Sequence, residues 1–242
     1  MEFYTSLKEE AKRSEFHTPE FVNKQIQVKS LMQVDLIKAI DELIKIIDSN
    51  KERIKRLQEF LNGNIDENKR QLYKDGIVKY ENLSVLAQKV SEIYLMLLDV
   101  YTYGTYSILS ENEWDWRAFA RHLYTMLFEH SKTVNKQLND IMRIVKTDIE
   151  ESYNLTKLKN AKKEFSSFIA ENLKFAKQIR VNVDAHFDGD FMERLNLIKN
   201  LSYCDVVELY HLYNRKMHTF LLELRPVLEK IRLSADISYH TL

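Results

Sequence analysis

The scarcity of glycine and proline limits what this chain can fold into more than any other feature of its sequence. Only 4 of the 242 residues are Gly and 2 are Pro, whereas a fold of many short strands needs these residues at its turns. A hydrophobic fraction of 45% beside a charged fraction of 30% suits long amphipathic helices. We therefore predict an all-α fold, an up-down bundle of five or six mostly long helices.

Apolar residues recur at helical spacing in the N-terminal part of the chain. Thr18 and Pro19 form a cap and a first helical residue, and the apolar stripe that follows predicts a long helix or helix pair over 18–62. Residues 63–80 are polar and include Gly76, so we expect a connection there with at most a short helix.

The same spacing predicts the remaining elements. Helices are expected from Leu83 past Tyr101, from a cap at Ser110 to about Thr147, over 165–179, over 191–201, and from Ser202 towards the C-terminus. The sequence contains no internal repeat and no Ser/Gly linker, so we predict one helical domain over 1–242.

Charge and cysteine content restrict the possible partners and the compartment. The 36 basic and 36 acidic side chains cancel, so no overall field would steer the chain to DNA or to an anionic membrane, and RNA binding would have to be local. Cys204 is the only cysteine, which fits a reducing compartment. Since no uncharged run approaches a membrane span, we expect a cytoplasmic protein without a membrane partner.

The predicted third helix carries a first candidate for phosphate binding. Arg117 and Arg121 lie one turn apart, and two guanidinium groups in that arrangement could bind phosphate oxygens. The commoner explanation is ion pairing with nearby carboxylates such as Glu113 and Asp115.

The sequence contains no complete metal-binding or cofactor-binding motif. Glu208 and His211 have the Glu-x-x-His spacing of di-iron bundles, but those sites need a second such element, which the sequence lacks. Without a Gly-rich phosphate loop or a Gly-x-Ser-x-Gly elbow, we expect no metal and no cofactor. His211 and His218 are predicted to lie at or near the surface.

A basic stretch runs from Lys157 to Arg180, with seven basic residues against two acidic ones. A solvated face is the ordinary explanation of such a run, and RNA contact is the alternative. The candidate RNA-binding residues are Lys162, Lys163, Lys174 and Lys177, together with Arg117 and Arg121.

The basic stretch leads into Gln178–Asp188, where Arg180 and His186 flank the end of a predicted helix that precedes a short and then a long helix. This arrangement, with the helical layout of 110–234, resembles the HEPN superfamily (higher eukaryotes and prokaryotes nucleotide-binding). Its members are all-α bundles, and many carry an Arg-x(4–6)-His motif. The resemblance implies a metal-independent endoribonuclease acting in phage defence or in a toxin–antitoxin stress response. It also implies a homodimer in which two motifs meet, and an antitoxin or other protein partner.

The chemistry of that reaction suits these residue types. His186 could take the proton of the 2′-hydroxyl, Arg180 could stabilise charge on the phosphorane, and Asn182 or Asp184 could orient the imidazole. Arg180 and His186 are about 120° apart on an ideal helix, so a composite site needs a helix-end distortion or a second subunit. The family's residue after the arginine is usually polar; here it is Val181, so either Asn182 takes its place or the site is degenerate.

Two other function classes stay open. In a non-enzymatic interaction or regulatory module, Arg180 would be held in an ion pair, and His186 would end a helix near Asp188. An enzyme would instead expose both in a cleft. The third class is a small-ligand binder at an aromatic cluster, although aromatic residues at helix ends are more often core. Its residues are Trp114, Trp116, Tyr101, Tyr103 and Tyr106.

Overall fold

The computed structural model describes residues 18–63, 65–149, 154–181 and 191–240. Within these ranges it contains six α-helices and no strand, so the all-α prediction is confirmed. The helices are α1 (Pro19–Leu61), α2 (Glu67–Leu109), α3 (Glu113–Ile149), α4 (Thr156–Ile179), α5 (Phe191–Lys199) and α6 (Tyr203–His240). No described helix contains a stretch apolar enough to cross a bilayer.

The first helix begins as the sequence predicts. The hydroxyl of Thr18 accepts a hydrogen bond from the backbone N–H of Phe21 at 3.3 Å, and Pro19 occupies the first helical position. α1 then continues for 43 residues as a single helix.

The expectation of a connection over 63–80 was wrong, because α2 already begins at Glu67. The carboxylate of Asp66 caps it by accepting hydrogen bonds from the N–H groups of Asn68 at 2.8 Å and Lys69 at 3.2 Å. Tyr73 and Tyr80 then pack on Leu57 of α1 in a buried cluster. The core contact of these residues outweighs the low helix propensity of Gly76.

Side-chain caps also set the starts of later helices. α3 is capped by Asn112, whose Oδ1 accepts the N–H of Trp114 at 2.7 Å, rather than by the predicted Ser110. α4 is capped by Asn154 through the N–H of Thr156, and α6 begins after Ser202, whose hydroxyl accepts the N–H of Asp205. Each cap satisfies a backbone donor that the helix itself cannot.

The described residues divide into two compact units, each assembled from separate stretches of chain. Unit 1 comprises 18–36, Leu95–Asn135 and Glu164–Met217, and unit 2 comprises Ile37–Tyr94, Lys136–Lys163 and 218–240. Each unit has its own buried core of aromatic and aliphatic side chains. The single domain over 1–242 stays a prediction.

The core of unit 1 is rich in aromatic pairs. Trp116 of α3 packs edge-on against Tyr203 of α6 with ring centroids 5.6 Å apart, and the hydroxyl of Tyr203 donates to the backbone oxygen of Ile108 at 2.9 Å. Gly104 of α2 lies against the ring of Tyr210, so that a Cβ at this position would be 2.9 Å from Tyr210 Cγ. The missing side chain therefore lets α2 and α6 approach closely.

Unit 2 is filled mainly by aliphatic side chains. Leu57, Leu86, Ile93, Leu138 and Phe220 are fully buried there. Polar contacts connect the helices of this unit as well: the amide of Asn50 on α1 donates to the hydroxyl of Ser84 on α2 at 3.2 Å. Buried polar groups with partners of this kind fix how two helices meet.

Candidate functional site

Arg180 lies in unit 1 at the point where α4 ends. The backbone continues beyond Ile179 in π-helical geometry at Arg180 and Val181. The side chain of Arg180 is about one-third exposed, and its Nε donates to Glu129 Oε1 of α3 at 2.7 Å. The arginine of the proposed motif is therefore held in an ion pair, which is what the non-enzymatic interpretation expects of it.

Glu129, the carboxylate that pairs with Arg180, lies between two basic side chains. Glu129 also accepts a hydrogen bond from Lys132 at 3.2 Å, and the hydrogen bond from Arg180, followed by the effects of Lys132, holds the pKa of Glu129 below its ordinary value. Both side chains of the Arg180–Glu129 pair keep a third or more of their surface exposed. Exposed pairs of this kind contribute under about 1 kcal/mol, so Arg180 can exchange its partner at little cost.

The other three proposed catalytic residues, Asn182, Asp184 and His186, lie outside the described residues. Their roles therefore stay predictions.

Arg117 is placed inside unit 1. Its side chain is 3% exposed, and one guanidinium nitrogen, Nη1, donates to the backbone oxygens of Ile198, Lys199 and Leu201 at 2.8–2.9 Å. Its Nε and Nη2 both donate to Glu113 Oε1. All of these bonds are internal, so the geometry supports the ion-pair interpretation of Arg117 and leaves no free edge for an RNA phosphate.

The remaining RNA-binding candidates differ in their surroundings. Arg121 is half-buried in unit 1, and Lys174 and Lys177 are exposed on α4 in the same unit. In unit 2, Lys163 is exposed, whereas Lys162 donates to Asn139 Oδ1 at 2.6 Å. The exposed lysines fit a solvated basic face and remain accessible to an anion.

Histidines and carboxylates do not converge in the described chain. Across 18–63, 65–149, 154–181 and 191–240, no group of three or more His, Cys, Asp or Glu side chains could hold a metal ion. His211 and His218 are exposed, as predicted, and partial burial lowers the pKa of His211.

The aromatic cluster contributes mainly to the core of unit 1. Trp116 and Tyr101 are buried, Tyr103 packs against His122, and Tyr106 stacks on Phe119 with ring centroids 5.3 Å apart. Trp114 is half exposed. These contacts favour the structural interpretation over a small-ligand site.

Sequence reasoning did not identify Glu129 as the partner of Arg180. The two residues are 51 positions apart and belong to different helices, so only the packing of α3 against α4 brings them together. No local spacing signals such a pair.

No protein-family model, no curated protein and no solved structure matches this chain.

Proposed function

We propose that this chain is a metal-independent endoribonuclease of the HEPN type, in which Arg180 and His186 form the composite site. The observation that carries the proposal is the π-helical geometry at Arg180 and Val181. Such geometry is rare and frequently found at functional sites, and it is a helix-end distortion of the kind that an Arg-x5-His site needs. The order of elements after it, a short α5 and a long α6, also agrees with the family layout.

In this proposal His186 takes the 2′-hydroxyl proton and Arg180 stabilises the phosphorane, with Asn182 or Asp184 orienting the imidazole. Arg180 first leaves Glu129 for the phosphate. Its exposed ion pair is worth under about 1 kcal/mol, so exchanging the carboxylate for a phosphate, another charged acceptor, costs little. Lys174 and Lys177, exposed on α4 in the same unit, would contact the RNA backbone.

The proposal is tested by cleavage of a mixed RNA pool in excess chelator. His186→Ala and Arg180→Ala are each expected to lower the rate by about 100-fold or more, since a general base and a charge-stabilising group each contribute at least that much. The matched controls are His218→Ala and Arg143→Ala, which change exposed residues with no proposed role and are expected to keep the wild-type rate.

Circular dichroism should show that all four variants keep their helicity, and light scattering should show a dimer if two motifs meet in one active site. Activity that survives in both His186→Ala and Arg180→Ala would contradict the composite site.

A non-enzymatic interaction module is the second candidate, favoured by the Arg180–Glu129 ion pair. In that function Arg180 stabilises unit 1 and the protein acts through a bound partner. Wild-type protein that leaves every RNA of the pool intact would favour this candidate. A small and equal loss of stability in Arg180→Ala and Glu129→Gln would then favour it further.

A further inference from the structure

A cleft in unit 2 combines an aliphatic wall with two exposed arginines. It is open to solvent and has a volume of about 200 Å³, which is enough for a short hydrocarbon chain but small for a drug-sized ligand. Leu43 and Ile46 of α1, Leu83 and Ala87 of α2, and Leu228 of α6 form the wall. Because this wall is aliphatic, it suits a flexible hydrocarbon chain better than a planar ring system.

The charged side of the cleft is formed by one helix. Arg225 and Arg232 of α6 line it on either side of Glu229, and both are exposed. Among the side chains that the structure describes on α6, which end at Leu233, and those of the other described helices, neither guanidinium makes an ion pair or a side-chain hydrogen bond. Two cations beside one carboxylate leave a net positive charge at an apolar wall.

The spacing of the two arginines allows both to serve one anion. They are seven residues apart, which is two helical turns or about 10 Å along the axis. Arginine side chains are long enough to reach the turn between them, and a guanidinium binds a carboxylate through two parallel hydrogen bonds.

We propose that this cleft binds an amphiphilic anion of the fatty-acid class. The aliphatic chain lies along the wall formed by α1, α2 and α6, and the carboxylate is held by Arg225 and Arg232. Binding stabilises unit 2 by mass action. This site shares no residue with the proposed ribonuclease site and does not depend on it.

The proposal predicts opposite changes in octanoate affinity for the arginine variants and for a variant of Glu229. Binding of octanoate is measured by calorimetry at low ionic strength, beside 1-octanol, which has the chain without the charge, and acetate, which has the charge without the chain. Arg225→Gln and Arg232→Gln should each weaken octanoate binding by about tenfold, the effect of losing one charge-assisted hydrogen bond. Glu229→Gln should instead tighten it severalfold, because it removes a like charge from the same cleft.

Arg56→Gln is the matched control, since Arg56 is an exposed arginine of unit 2 that pairs with Glu52 outside the cleft. It should leave the affinity unchanged. All four substitutions alter exposed side chains, so the variants should fold. The proposal is overturned if the wild type does not bind octanoate, if 1-octanol binds equally well, or if both cleft arginine variants bind like the wild type.

Discussion

The guanidinium of Arg117 makes five hydrogen bonds, two to Glu113 and three to the backbone at the end of α5. The last carbonyl groups of a helix have no partner within the helix, and a cation near them is favourable. A single side chain of α3 therefore supplies the C-terminal cap of α5, and its flat shape with donors along both edges is essential to that role.

Replacing Arg117 should consequently destabilise the fold. Arg117→Ala removes the donor that three backbone carbonyl groups share, of which that of Ile198 keeps a hydrogen bond from the N–H of Leu201. It should lower the free energy of unfolding by about 1.5–3 kcal/mol, the contribution of hydrogen bonds to a charged group. Arg117→Lys should recover only part of this, because an ammonium cannot reach both sets of acceptors. Urea denaturation measures both, with the exposed Lys177→Ala as a control that should stay within about 0.5 kcal/mol of the wild type. A loss under about 1 kcal/mol in Arg117→Ala would contradict the capping role.

At the scale of helices, two glycines within α2 differ in how much space a side chain would have. A Cβ at Gly104 would overlap the ring of Tyr210, whereas a Cβ at Gly76 would meet only the end of the Leu57 side chain, at 3.2 Å. Gly104→Ala should lower the free energy of unfolding by about 1–3 kcal/mol through overpacking. Gly76→Ala should stay within about 1 kcal/mol of the wild type, because the gain in helix propensity offsets the tight contact. Thermal denaturation compares the pair, and equal effects would show that helix propensity alone governs both positions.

The helices also show how far local sequence can predict this fold. Thr18 and Pro19 identify the start of α1 because a cap is a local feature. The start of α2 was missed because Asp66, an equally good cap, stands near glycines that indicate a connection. Only the burial of Tyr73 and Tyr80 against Leu57 decides between these signals, and that contact joins two helices.

For the whole molecule, two histidines with lowered pKa values predict how stability changes with pH. Burial lowers the pKa of His130, although Asp99 and Glu129 oppose the shift. Within the described ranges its Nδ1 is buried and has no hydrogen-bond partner. Burial also lowers the pKa of His211. The unfolded chain therefore takes up protons near pH 6.5 that the folded chain does not, and stability must fall as the pH drops below that value.

The free energy of unfolding should accordingly decline between about pH 7 and pH 5.5, measured by urea denaturation at each pH. His130→Gln should make the decline shallower, whereas the exposed His218→Gln should leave it unchanged. The lowered pKa values of Glu129 and Glu164 act in more acidic solution, so they do not obscure this window. A stability that is flat over the interval would contradict a lowered pKa for the partly buried His130.

The candidate site was less predictable than the fold because its residues act through tertiary contacts. Arg117 and Arg180 look alike in sequence as helical arginines near aromatic residues, yet Arg117 is buried among backbone carbonyls and Arg180 is a third exposed. Arg225 and Arg232 of the unit 2 cleft also form no recognisable sequence motif, because most of the apolar wall beside them comes from α1 and α2, which are distant in the sequence. Pattern reasoning finds elements reliably, but which face of an element is free depends on its neighbours.

The cap that Arg117 places on α5 also has a consequence for the order in which the chain acquires structure. A nine-residue helix is too short to persist in water by itself. The C-terminus of α5 is capped by the guanidinium of Arg117, which lies 81 positions before Ile198 in the chain. α5 should therefore form only after α3 is in place. Its backbone amides should exchange with deuterium together, as one cooperative group, whenever that guanidinium withdraws.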